Sequence, residues 1–200
     1  MKCWQCGLAA EAGAVFCAAC KTLLPPDPTI DHFARLGLER RFAQDADQIA
    51  AQHRQRQRQV HPDRFVGRGE RMGVLSMQHA TALNDAVRVL RDPVRRADYL
   101  LTLRGVSMHD DRGVKLDPAF LMEVIELREA IEELTGTDAH VERSRLGREI
   151  AARYEATLSR LGEGLDAPAD AAPPLDALAR LAAQLKYLRR MLDELGAGDP

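Results

Sequence analysis

No apolar run in this sequence approaches the ~20 residues that a bilayer span needs, and its opening, MKCWQC, has no apolar signal region. From both absences we expect a soluble cytoplasmic protein with no membrane partner. Cysteine is missing after residue 20, because all four fall within the first 20 residues. That placement suits a metal site in a reducing cytosol better than a secreted disulfide scaffold. There is no phosphate-cradling glycine loop of the P-loop or dinucleotide kind and no nucleophile elbow, so intrinsic catalysis is not expected. A large excess of either charge is missing too. With 28 basic against 30 acidic residues and a net charge of −2, any pull on nucleic acid or anionic lipid has to come from a local patch. The chain does not lack core-forming material: 46% hydrophobic and 29% charged content over 200 residues is enough for one or two folded domains rather than disorder.

The charges that are present are segregated. Residues 54–71 carry six arginines (54, 56, 58, 64, 68 and 71) against Asp63 and Glu70, whereas 117–133 carry six acids against Arg128. Such a bipolar chain suggests two different partners.

Cys3-x-x-Cys6 and Cys17-x-x-Cys20 form two matching pairs, which together supply four thiolates for one tetrahedral ion. Gly7 lets the backbone fold back beneath the metal, and Trp4, Val15 and Phe16 are the candidates to cover it. Residues 1–24 are too few to bury much apolar surface alone, so a bound ion would contribute most of their stability. We read this as one structural Zn2+, with no open position for catalysis, over paired disulfides, a redox C-x-x-C or a rubredoxin-like iron site. Pro25, Pro26 and Pro28 then make a stiff connector.

Downstream the pattern is helical. Asp31 or Thr29 caps a short helix carrying Phe33 and Leu36, and Asp45 or Asp47 opens a longer one. On the longer helix Ile49, His53, Arg56 and Val60 form the inward stripe, while Arg54 and Arg58 face outward. His53 reads as a hydrogen-bonded packing residue and Arg56 as a snorkelling stem. Pro62 pushes the residue before it out of helical geometry, so this helix should stop near Val60 or His61. Gly67, Gly69 and Gly73 are expected to keep the next loop open, with a helix resuming near Leu75 and carrying Ala80, Leu83, Val87 and Leu90 on one face. Asp92-Pro93 punctuates, and a further helix runs from Val94 to Arg104.

From 112 the sequence reads as an acidic three-helix bundle. Asp117-Pro118 caps its first helix, Gly136 stops it, and Phe120, Val124, Leu127, Ile131 and Leu134 are the expected buried stripe. Leu121, Met122 and Ile125 fall outside that stripe, among Glu126, Glu129, Glu132 and Glu133. Either a neighbouring helix covers them or they form an apolar patch rimmed with acids. Further helices are expected at about 140–161 and 175–195, the last with leucines at 178, 181, 185, 188, 192 and 195. Packing within a bundle explains that seam better than a coiled coil of three heptads. The stretch GEGLDAPADAAPP, 162–174, reads as a flexible loop.

Helix, HPD, loop and helix in that order resemble a J domain, the module that stimulates the ATPase of a 70-kDa heat-shock chaperone. Together, DHFARLGL, HPDRF, LNDAVRVLRDPVRRADYLL and FLMEVIELRE are similar to the HscB family of iron–sulfur cluster co-chaperones, in which an N-terminal four-cysteine extension is a known variation. His32 stands where the family usually has tyrosine, His53 and Arg56 replace apolar or aromatic residues, and Val87 replaces an aromatic. These differences fall on packing positions.

The resemblance implies an all-α chain with a tetracysteine zinc module at 1–24, a J-domain hairpin at 29–105 and a scaffold-binding three-helix bundle at 112–196. It implies two partners. A DnaK/HscA-type chaperone ATPase would meet His61, Pro62 and Asp63 with Arg54, Arg58 and Arg64. An IscU-type iron–sulfur scaffold protein would meet Leu121, Met122, Ile125, Glu126, Glu129 and Glu133, with Tyr187 beside the leucine seam. Two other readings are weaker. An acid–base pair of His61 and Asp63 lacks a pocket at a hairpin tip. Nucleic-acid binding through the basic helix is opposed by the near-neutral charge and the acidic bundle.

Overall fold

In the computed structural model the described residues are 1–106, 114–134 and 139–196. The expected helix stop at Gly136 and the expected domain start at 112 lie outside them. The regular elements of the described residues are all helical: α1 (His32–Leu36), α2 (Ala46–Val60), a single 3-10 turn (Pro62–Phe65), α3 (Glu70–Arg91), α4 (Pro93–Leu103), α5 (Pro118–Glu132), α6 (Ala139–Asp166) and α7 (Leu175–Glu194). Among the described residues, β pairing is limited to two isolated bridges, Lys2 with Ala9 and Phe16 with Leu23. No helix of the described residues is long and apolar enough to cross a membrane.

The chain divides into two compact units, Met1–Arg40 with Gln44–Asp92, and Arg41–Ala43 with Pro93–Pro200. In the first unit Asp31 caps α1 by accepting from the Ala34 N–H at 2.8 Å. Gly37 ends α1 in the left-handed region at φ 67°. A Cβ at Gly37 would meet the movable end of the Arg56 guanidinium, so it is the positive φ that favours glycine here. Arg56 is half-buried, with its Nε enclosed and without a hydrogen-bond partner among the described residues, and the His53 Nε2 is 3.0 Å from the Asn84 Oδ1 on α3. Asp45 caps α2 by accepting from the N–H groups of Asp47 and Gln48.

Helix α3 begins at Glu70, not Leu75, so Gly73 is helical and the loop is shorter than the glycines suggested. Only Gly67 and Gly69 of the three adopt positive φ, 76° and 93°, conformations that favour glycine. The buried stripe of α3 is Met72, Leu75, Ser76, His79, Leu83, Ala86 and Leu90, with Ala80 and Val87 at its margin.

In the second unit α4, α6 and α7 pack together around Leu100, Leu101, Ile150, Leu161, Leu165 and Leu178, all essentially inaccessible. The leucine seam of α7 is the inner face of this bundle: Leu178, Leu185, Leu188, Leu192 and Leu195 are buried. Helix α6 continues to Asp166, through the first residues of the expected 162–174 loop. Gly162 and Gly164 are therefore contact glycines, not loop signals. A Cβ at Gly162 would stand 2.6 Å from the Phe42 ring, and one at Gly164 would stand 2.5 Å from the Leu178 Cδ2. Asp166 then receives the backbone N–H groups of Phe42 and Ala43.

Candidate functional site

The two cysteine knuckles share one backbone plan. The Gly7 N–H returns to the Cys3 carbonyl and the Lys21 N–H to the Cys17 carbonyl, each at 2.9 Å. Both turning residues have positive φ, 73° at Gly7 and 59° at Lys21. Lysine adopts that conformation at a cost, so the knuckle imposes it. The sulfurs of Cys3 and Cys20 are 3.7 Å apart and those of Cys6 and Cys17 3.8 Å apart, and all four lie within 4.8 Å of one another. Disulfides require about 2.05 Å. Four thiolates at about 2.3 Å from a tetrahedral Zn2+ have edges of about 3.8 Å, so Cys3, Cys6, Cys17 and Cys20 have the donor type and spacing to hold one such ion.

Their protonation points the same way. The N–H groups of Cys6 and Gln5 hold the Cys3 thiol down at about 6, and that of Cys20 lowers Cys17. Although the Thr22 N–H lowers Cys20, burial and the three other sulfurs push it up to about 12. Without a cation, four sulfurs this close cannot all ionise.

Of the residues expected to enclose the sulfurs, Trp4 does so and Val15 and Phe16 do not. Cys3, Cys17 and Leu24 are buried at the centre, with Trp4, Ala10, Ala14 and Cys20 against them, whereas Val15 and Phe16 are only partly buried. Three contacts tie the module to α3. The Thr22 hydroxyl donates to the Met72 sulfur at 3.4 Å, the His79 Nε2–H donates to the Leu24 carbonyl at 2.8 Å, and the Arg71 guanidinium stacks 4.5 Å over the Trp4 ring. Burial holds His79 below the ordinary histidine value, which keeps it a neutral donor. The connector is pinned as well, with the Gly13 N–H donating to the Asp27 carboxylate at 3.1 Å.

The HPD corner follows directly from Pro62. Helix α2 stops at Val60, His61 is extended at φ −59°, ψ 134°, and Pro62 opens the 3-10 turn. Two anchors fix this corner. Phe65 at the end of the turn is buried at 6% exposure, and the Ser76 hydroxyl of α3 donates to the Val60 carbonyl at 2.6 Å. The second anchor satisfies a carbonyl that the end of α2 would otherwise leave orphaned in the interior. Neither Phe65 nor Ser76 stands out as an anchor in the sequence. The restricted backbone geometry of X-Pro explains the stop, but only the fold brings Ser76 to it.

Above these anchors the signature residues are open to solvent. The His61 side chain is 47% exposed and that of Asp63 86%. The His61 Nδ1 accepts from the Asp63 N–H at 3.3 Å and lies 3.5 Å from the Asp63 carboxylate. Arg54, Arg58 and Arg64 are all exposed, and the Arg64 Nη1 donates to the Arg58 carbonyl at 3.1 Å, bracing the basic surface against the corner.

In the second unit, α5 carries the other predicted set. Asp117 caps it, accepting from the Ala119 N–H at 2.9 Å. Val124 is buried, with Phe120, Leu127 and Ile131 half-buried on the same face. Leu121, Met122 and Ile125 are exposed at 39%, 58% and 50%, so no neighbouring helix covers them among the described residues. Glu126, Glu129 and Glu133 are exposed beside them. Tyr187 of α7 joins this surface through an edge-on contact with Phe120, ring centroids 6.3 Å apart. Exposed apolar side chains framed by acids are the composition of a docking surface for a partner with an apolar patch and basic flanks.

Residues 116–196 match the model of the HSCB C-terminal oligomerisation domain. A relative from Burkholderia multivorans described as "Co-chaperone protein HscB homolog" is 40% identical over 166 residues, covering 83% of this chain and 92% of the relative. The mouse "Iron-sulfur cluster co-chaperone protein HscB" is 38% identical over 135 residues, covering 66% of this chain and 58% of that protein. The crystal structure of the human co-chaperone protein HscB superposes with a TM-score of 0.84 at 26% identity, covering 98% of this chain and 97% of that one. With this coverage, an all-helical fold and four clustered N-terminal cysteines, the chain belongs to the HscB family of J-domain co-chaperones of iron–sulfur cluster assembly.

Proposed function

We propose that this protein stimulates the ATPase of a DnaK/HscA-type chaperone through its HPD corner and delivers to it an IscU-type scaffold protein held on α5. The division is by segment: 1–24 binds one structural Zn2+ through its four cysteines, 29–105 is the J domain, and 112–196 is the scaffold-binding domain. The protein works in the cytoplasm, and ATP is hydrolysed in the partner. The observation that carries this reading is the corner itself, exposed His61 and Asp63 flanking a half-buried Pro62 on a backbone anchored from beneath by Phe65 and Ser76. Exposed Arg54, Arg58 and Arg64 steer an acidic partner surface and pair with its carboxylates. The fixed corner needs only to bind one conformation of the partner better than the other to shift its hydrolysis rate.

The experiment is ATP turnover by a DnaK-type chaperone with and without this protein, and with scaffold added. Stimulation that rises further with scaffold supports the reading; turnover that this protein leaves unchanged overturns it. Two variants test the parts. Ser76→Ala leaves the Val60 carbonyl buried without its donor, a loss of about 1–3 kcal/mol. The thermal midpoint should drop by on the order of 5–10 °C, and half-maximal stimulation should require more protein. A wild-type midpoint would show that water replaces the hydroxyl. Leu121→Ala, Met122→Ala and Ile125→Ala together remove three exposed apolar contacts, so scaffold affinity should fall about 100-fold or more. The midpoint should stay within about 1 °C, since these side chains already face water. A calorimetric titration giving native affinity would remove the scaffold assignment.

A further inference from the structure

Tyr187, Arg190 and Glu194 share one outward face of α7, at three- and four-residue spacing. Two contacts tie this face to α5: Phe120 meets Tyr187, and the Arg128 guanidinium lies 3.6 Å from the Glu194 carboxylate. They set α5 and α7 parallel and fix their register, so Arg190, between the two contacts, falls level with the stretch from Leu121 to Ile125. On α5 the face turned toward α7 is the stripe of Phe120, Val124 and Leu127, which shares a recess with Gln184, Leu188 and Met191 of α7, while Leu121 and Ile125 lie outside it, exposed. Tyr187, in contact with Phe120, therefore stands between that ledge and Arg190, which lines a recess with Tyr187 and Lys186.

Three observations give Arg190 a distinct standing. It is exposed and makes no ion pair among the described residues, whereas Lys186, one turn earlier, is held by Asp98 of α4 at 2.8 Å and Glu194, one turn later, by Arg128. A recess of about 90 Å3, lined by Ala183, Lys186, Tyr187 and Arg190, opens beside it, with room for one aliphatic side chain. Across the surface, the order is acids (Glu126, Glu129 and Glu133), apolar ledge, Tyr187, then the Arg190 cation.

We propose that Arg190 is a specificity-determining residue of the scaffold-binding surface: it receives a carboxylate that the scaffold carries beside an apolar side chain seated in the Tyr187 recess. This inference rests on the reading of α5 as the scaffold site. A partner segment that fits must present base, apolar group and acid in that order. Docked in the opposite direction, it would set acid against the glutamates and base against Arg190. Like charges on both flanks make that direction unfavourable, so Arg190 sets the orientation of the bound scaffold.

The test is a calorimetric titration of the full-length protein with a metal-free IscU-type scaffold protein at low and moderate salt. It would compare wild type, Arg190→Glu, Arg190→Lys and the triple alanine variant at Leu121, Met122 and Ile125. Arg190→Glu should weaken binding tenfold or more and reduce its salt dependence, Arg190→Lys should stay within a few-fold of wild type, and all should share one thermal midpoint. In the wild type, amide resonances of 183–190 should shift on scaffold addition. Wild-type affinity for Arg190→Glu, with binding lost in the triple variant, would overturn the role of Arg190 and leave the scaffold site standing. Failure of the wild-type protein to bind the scaffold would overturn both.

Discussion

His61→Gln should reduce stimulation of a DnaK-type ATPase to the unstimulated rate, while scaffold affinity stays within about twofold of wild type and the thermal midpoint barely moves. The separation of these outcomes follows from where His61 sits. Its side chain is 47% exposed, so its replacement has a stability effect within about ±0.5 kcal/mol. The residues that hold the corner, Phe65 and Ser76, are untouched. What changes is the contact surface. The imidazole Nδ1 accepts from the Asp63 N–H and leaves Nε2 available to the partner. Glutamine has a longer, more flexible side chain whose amide can make only one of those bonds in the same geometry. Stimulation depends on a difference in affinity for two partner states, so losing a contact made in only one of them removes the effect even when residual binding persists. Wild-type turnover in the mutant would detach the corner from the ATPase effect.

The corner was legible because proline acts locally: Pro62 dictates the end of α2 whatever the rest of the chain does. The start of α3 was not. Gly69 precedes it without a side-chain cap, and Gly73 sits in the helix where a Cβ would meet nothing within 4 Å. A helical glycine there costs only about 1 kcal/mol, which the buried stripe below it outweighs. The reverse holds at Gly162 and Gly164, where glycine marks close packing against Phe42 and Leu178, partners that no local pattern reveals. Ser76 and His79 were hidden for a related reason. Both are polar residues in an apolar stripe, and their acceptors, the carbonyls of Val60 and Leu24, lie 16 and 55 residues away in sequence. On α5, by contrast, three apolar residues lying off the stripe could be read from spacing, although spacing alone left open whether a neighbour covers them.

Removal of the metal should loosen far more than the first 24 residues. Leu23 and Leu24 are completely buried, in a segment whose fold depends on the cysteine tetrahedron as well as on its contacts with α3. If a strong chelator strips the ion, or Cys17→Ser with Cys20→Ser prevents its binding, the knuckles lose the cation that lets four close sulfurs ionise. Leu23 and Leu24 then return toward water, at about 1.5–3 kcal/mol each. His79 loses the Leu24 carbonyl and becomes a buried donor without its acceptor, a further 1–3 kcal/mol or so. The sum is on the order of 5 kcal/mol, and the loss acts on α3, the helix whose Ser76 holds the end of α2 beneath the HPD corner. Calorimetry should therefore show the thermal midpoint of the first unit falling by on the order of 10 °C or more, and hydrogen exchange should quicken at Met72–His79. Elemental analysis of the untreated protein should find one zinc per chain; one iron instead would correct the metal while leaving the tetrahedron. If metal-free protein kept the native midpoint and slow exchange in α3, the cysteine module would be an appendage and the three contacts to Met72, Arg71 and His79 would carry no weight.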